Sequence, residues 1–120
     1  IEIINGGETL WGFWYTFNEE GSAQRWFTMQ GTVERDTATF DIISTEGGVF
    51  LNDQSPTIAR WGTGTVQFND CFSGTFTFNA DHQSLSGEIP LTRLTAAGAC
   101  DPSNTTKSNL NSKQSRSWVK

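Results

Sequence analysis

Residues 72–79 read FSGTFTFN. Phe72, Gly74, Phe76 and Phe78 alternate with Ser73, Thr75, Thr77 and Asn79. A strict period of two puts successive side chains on opposite faces of a strand, one apolar and one polar. No helical period fits these eight residues. The stretch therefore predicts a half-buried antiparallel strand, with Asn69-Asp70 before it and Asn79–His82 after it as turns.

The same reading extends outward in both directions. Ile58–Asn69 places Gly62, Gly64, Val66 and Phe68 on one face and Trp61, Thr63, Thr65 and Gln67 on the other. In Thr37–Ser44, Ala38, Phe40 and Ile42 alternate with Thr39, Asp41 and Ile43. Gln24–Glu34 predicts a long strand with a bulge at Gly31. Thr9–Phe17 (TLWGFWYTF) carries Trp11, Phe13, Tyr15 and Phe17 on one face and Leu10, Gly12, Trp14 and Thr16 on the other. Ile1–Ile4 precedes the turn signal Asn5-Gly6-Gly7. Gly87–Leu94 is the last strand, and Pro90 places it at an edge or a bulge. Glu46–Pro56 is read as the longest loop, with Val49-Phe50-Leu51 pinned into the body.

About seven strands with short connections predict an all-β fold in antiparallel up-and-down order. Glycines spaced along the strands favour strong curvature and hence a barrel; a two-sheet sandwich is the alternative. Residues 1–100 form one domain, and 101–120 are a polar, basic, flexible C-terminal tail. The start at Ile1 leads us to expect a processed or excised chain, with room for a preceding strand or a removed leader.

Charge divides the chain in the same place. All three lysines fall at 107, 113 and 120, and residues 1–101 set four arginines against 13 acids, a net −9. An acidic body opposes a nucleic-acid surface, which needs clustered cations. No run approaches a membrane-spanning length. The two cysteines, Cys71 and Cys100, are expected to form a disulfide worth on the order of 3 kcal/mol in the chain-entropy model, and with it an oxidising compartment. Two free buried thiols are the other reading. Two cysteines and one histidine cannot build a Cys/His zinc site, so neither metal nor cofactor is expected. Asn104-Thr105-Thr106 fits the glycosylation sequon.

Catalytic groups are sparse. His82 lies in a turn, with Ser84 and Ser86 nearby but no triad logic. The strand carboxylates Glu34, Asp41 and Glu88 show no sign of pairing. The aromatics stand out instead: Trp11, Trp14, Tyr15, Trp26 and Trp61, with Arg25 and Arg60 each one residue before a tryptophan. They serve either as core filling or as a stacking platform for a glycan or small apolar ligand, with the arginines supplying polar or cation–π contacts.

Residues 9–31 (TLWGFWYTFNEEGSAQRWFTMQG) resemble a domain of secreted and surface proteins of Gram-negative bacteria. In that family a strand with a Trp-Tyr or Trp-Phe pair leads into a Tyr-Asp-x-x-Gly type of turn, a second such pair and a glycine. The matching residues are Trp14-Tyr15, Asn18–Gly21, Trp26-Phe27 and Gly31. Gly62–Phe68, Gly74–Phe78 and Ile89–Arg93 resemble its later strands. The Gly-x-Gly-Phe segment that usually precedes the first strand is missing here. The resemblance spans residues 1–94 and implies a β-domain that is secreted, periplasmic or on the cell surface; it carries no activity over.

Three functions follow as expectations. The first is a non-catalytic binding or adhesion module using the aromatic platform. The second is a structural or assembly domain that self-associates through edge strands. The third is a small barrel hydrolase or isomerase.

Overall fold

The computed structural model describes residues 1–5, 9–51, 53–95 and 116–119, the last four and Asn5 by their backbone. Eight strands follow in chain order: β1 (Glu2–Asn5), β2 (Leu10–Phe17), β3 (Gln24–Glu34), β4 (Thr37–Glu46), β5 (Thr57–Phe68), β6 (Ser73–Ala80), β7 (Ser86–Arg93) and β8 (Arg116–Val119). Each pairs antiparallel with the next, and β8 joins β7 to β1, so an all-β meander curls into a closed up-and-down barrel. The sandwich alternative is excluded. The seam is short: β8 meets β1 at Glu2 and Ile3, and β7 at Thr92 and Arg93.

β8 falls inside the stretch read as a flexible tail. Cys100, Asn104 and the rest of 96–115 lie outside the described residues, as does the Gly6-Gly7 turn. β7 pairs with β6 from Ser86 to Thr92. Pro90 therefore sits where the opposite side of β7 has no described strand partner, which suits a residue that cannot donate a backbone hydrogen bond.

Period-two alternation decides what lies inside. Leu10, Trp14, Phe27, Met29, Phe40, Ile42, Val66, Phe76 and Leu91 are buried in one core. Fully burying side chains of this size stabilises by about 1.5–3 kcal/mol each, before conformational entropy is set against it. Two glycines let neighbouring strands approach closely. A Cβ at Gly31 would collide with the Thr39 carbonyl on β4, and one at Gly62 with the Asn79 carbonyl on β6. The expected bulge at Gly31 is absent: Leu10, Gly31 and Phe40 stay in continuous register. Close approach of neighbouring backbones, rather than an extra residue, explains that glycine.

The bulge lies in β5. Ile42 faces Gly62, while Ile43 faces Arg60, leaving Trp61 as the extra residue. Its carbonyl accepts the Asp81 amide at 2.9 Å. This overturns the expected placement of Trp61 on the face opposite Gly62. The bulge shifts the alternation by one, so Trp61 and Gly62 both face inward.

Turns follow side-chain chemistry. Asn18 Oδ1 accepts the amides of Ser22 and Ala23 at 2.8 and 3.0 Å, closing the β2–β3 turn. Asp70 Oδ1 accepts the amides of Phe72 and Ser73, each at 2.7 Å, and Oδ2 accepts the Ser73 hydroxyl at 2.8 Å. These bonds hold the Asp70 carboxyl below the usual carboxylate range, the Phe72 amide contributing most. Such Asx arrangements replace a missing ladder with local bonds. Cys71, within this turn, is disulfide-bonded.

Candidate functional site

The seven candidate residues do not form one site. Strand parity sends them to opposite sides of the barrel wall. On β2, Trp14 points inward and is buried; on β5, the bulge does the same for Trp61. With Phe27, Phe76 and Phe78 they make an aromatic cluster in the barrel. Trp14 stacks on Phe27 at 5.1 Å between ring centroids, and Trp61 meets Phe27 at 4.6 Å. Phe76 and Phe78 lie 5.2 and 4.9 Å from Trp14. Pairs of this geometry contribute about 0.5–1.5 kcal/mol each beyond their buried area. Trp61 Nε1 is buried without a hydrogen-bond partner. An orphaned donor of this kind costs about 1–3 kcal/mol, which the surrounding aromatic packing offsets.

Arg25 sits at the mouth of this cluster. Its guanidinium carbon lies 4.9 Å from the Phe27 ring centroid, a cation–π contact. Glu19 and Glu46 hold the same guanidinium at 3.5 and 3.2 Å. Arg25 therefore ties β3 to the β2–β3 turn and to the end of β4. Arg60 is on the outer wall, bridging Asp41 at 3.1 Å and Asp81 at 2.8 Å. Both arginines are committed to carboxylates rather than to a tryptophan.

The other three candidates share the outer face of β2 and β3. Trp11 is 43% exposed, Tyr15 65% and Trp26 47%. Tyr15 stands directly opposite Trp26 in the β2–β3 register, which puts both side chains on the same outer face. Trp11 lies four residues back along β2, about 13 Å away at strand rise. Phe13 and Phe17 complete the row, facing Thr28 and Gln24 on β3. These two phenylalanines escaped the candidate list, although the alternation in 9–17 already placed them beside Trp11 and Tyr15. The result is a row of rings along the outer face of β2–β3, whereas the outward positions on β5–β6 are Thr, Asn and Gln.

A second exposed apolar group was not foreseen. Val49, Phe50 and Leu51 were expected to be pinned into the body. Instead they are 50%, 92% and 91% exposed. The connection 47–56 joins β4 to β5, and Val49, Phe50 and Leu51 in it stand in solvent. Leu51 holds φ at 58°, in the left-handed region unusual for a branched side chain.

The chemistry-bearing residues stay apart. Glu34, Asp41 and Glu88 lie exposed on β3, β4 and β7, and His82 is exposed in the β6–β7 turn. A groove of about 600 Å³ beside the β3–β4 turn is lined by Thr32, Glu34, Arg35, Asp36, Thr37 and Thr39, away from the aromatic ridge. Among the described residues no group of three or more His, Cys, Asp or Glu side chains is placed to hold a metal.

What the geometry defines is an eight-stranded meander barrel with a packed aromatic interior and an aromatic outer ridge. No family model matches the chain, and neither a curated protein nor a solved structure is significantly similar to it.

Proposed function

We propose that the protein is a non-catalytic binding module of a secreted or cell-surface protein, and that the outer face of β2–β3 stacks against a glycan. The single supporting observation is the exposed row of Trp11, Tyr15 and Trp26, two of them directly paired across the strands. Flat rings held on a rigid sheet present apolar area at low entropic cost to the equally flat, C–H-rich faces of pyranose rings. Tyr15 Oη and Trp26 Nε1 add directional hydrogen bonds to sugar hydroxyls. The sequence resemblance and the Cys71 disulfide support an extracellular or periplasmic setting. The outward Thr, Asn, Asp and Gln side chains of β4–β6 are the reverse of a lipid-facing barrel wall, which supports an aqueous one.

Tryptophan-fluorescence and calorimetric titrations against neutral and acidic oligosaccharides test this reading. Binding that Trp26→Thr lowers about tenfold or more supports it, in line with the loss expected for an aromatic anchor. A flat response to every oligosaccharide removes it. Intact mass before and after reduction tests the Cys71–Cys100 pairing.

A second reading rests on the short seam. β8 contacts each neighbour through two residue pairs, so β1 and β7 retain edge capacity for strand exchange between copies. Sedimentation across a wide concentration range separates a monomer from such an assembly.

A further inference from the structure

We infer that the end of the barrel bearing the β4–β5 loop is a docking surface for a cationic polypeptide segment that carries apolar side chains. Val49, Phe50 and Leu51 form a run of three large apolar residues in solvent, which has no role in the barrel's own core. Consecutive exposed apolar residues of this kind oppose folding and solubility unless they serve an interaction. They are not isolated. Phe17 closes β2 and Ile58 is the second residue of β5 at the same end, and both are exposed.

Charge at this end selects the partner. The two arginines here, Arg25 and Arg60, are already engaged by Glu19, Glu46, Asp41 and Asp81. Glu20 in the β2–β3 turn and Asp53 in the loop add further exposed negative charge. Residues 1–101 contain no lysine at all. An apolar tip with an acidic surround attracts a segment that pairs Lys or Arg with Leu, Phe or similar residues. The same surround repels an anionic membrane, the other surface such a tip would suit.

Phe17 borders both surfaces, but this inference rests on the loop residues Val49, Phe50 and Leu51 and the charges around them rather than on Trp11, Tyr15 and Trp26. Its test uses the whole chain and three probes. These are synthetic peptides of Leu and Phe with Lys, the same peptides with Glu replacing Lys, and vesicles of phosphatidylcholine with or without phosphatidylglycerol. The Lys peptides are expected to bind, and more weakly as salt rises. The double variant Phe50→Ser/Leu51→Ser is expected to lose about tenfold or more of that affinity, as for hot-spot anchors. Asp53→Asn with Glu20→Gln is expected to lose about threefold, in line with rim charges. Because Phe50 and Leu51 are almost fully exposed, an unchanged Tm for their variant separates lost docking from lost folding. Equal binding of Lys and Glu peptides, binding to vesicles alone, absence of binding to any probe, or wild-type affinity in the Phe50/Leu51 variant would each overturn the inference. Trp26→Thr is expected to leave peptide binding intact, so failure here and failure of the glycan reading remain distinguishable.

Discussion

The outer faces of β2–β3 and β5–β6 are built to the same plan with opposite materials. On β5–β6 the outward cross-strand pairs are Thr63–Asn79, Thr65–Thr77 and Gln67–Thr75. On β2–β3 they are Trp11–Gln30, Phe13–Thr28, Tyr15–Trp26 and Phe17–Gln24. Both pairs of strands bury an apolar inner face, and both keep continuous register. Threonine satisfies strand propensity as well as an aromatic does, without leaving apolar area in water. The aromatic wall is therefore not a requirement of the strand. A barrel that folds with threonine outside β5–β6 has no structural need for four aromatic rings outside β2.

That comparison can be broken most severely from within. Phe76 lies between the walls, fully buried and 5.2 Å from the Trp14 ring. Phe76→Ala is expected to cost about 3–5 kcal/mol, read as a lower urea midpoint, because a large cavity opens in a close-packed core. Gly31→Ala is expected to cost about 1–3 kcal/mol or more, since the new methyl group collides with the Thr39 carbonyl rather than with a movable side chain. By contrast, Tyr15→Thr with Trp26→Thr makes the β2–β3 face resemble β5–β6. Its stability is expected to change by about 1 kcal/mol or less, the scale of cross-strand pairing, while glycan binding is lost.

The smallest expected effect concerns acid. Asp70 is held below its ordinary range by the Phe72 amide first, then by the Ser73 hydroxyl and amide. A depressed folded-state value means that the stabilising contribution is complete above the unfolded value. It is lost as pH falls through the folded one. Asp36 has the same sign, its hydrogen bond with Gln67 contributing most. Melting temperature is thus expected to decline on the acid side of roughly pH 4, the ordinary aspartate value. Asp70→Asn keeps an acceptor for the backbone amides and is expected to flatten part of that decline in thermal scans.

Particular residues show what the sequence could and could not convey. Alternation in 73–79 and 37–44 located inner and outer faces because both strands are unbulged and covered on one side; Phe72, read with the apolar face, falls in the Asp70 turn before β6 and is exposed. It also placed Trp11 and Trp14 on opposite faces, although the inward choice depends on Trp14 facing Phe27 across β3. Trp61 was misplaced because a bulge inverts parity after one unpaired residue, and nothing in IARWGTG marks it. Closure into a barrel was legible only as curvature. The closing strand β8 is four residues long within a Ser- and Asn-rich stretch, too short to carry a period. Val49-Phe50-Leu51 misled for a different reason. Hydropathy alone sends such a run inward, but the loop's length and the full barrel interior leave it no site there.

Whether the outer face of β2–β3 serves binding rather than folding decides the proposed function. The most direct measurement pairs a urea denaturation curve with an oligosaccharide titration on the wild type and on the Tyr15→Thr/Trp26→Thr variant. A near-unchanged midpoint with saturable wild-type binding that the variant loses is the predicted result. A variant destabilised on the scale of Phe76→Ala, or a wild type that binds no oligosaccharide, would contradict it.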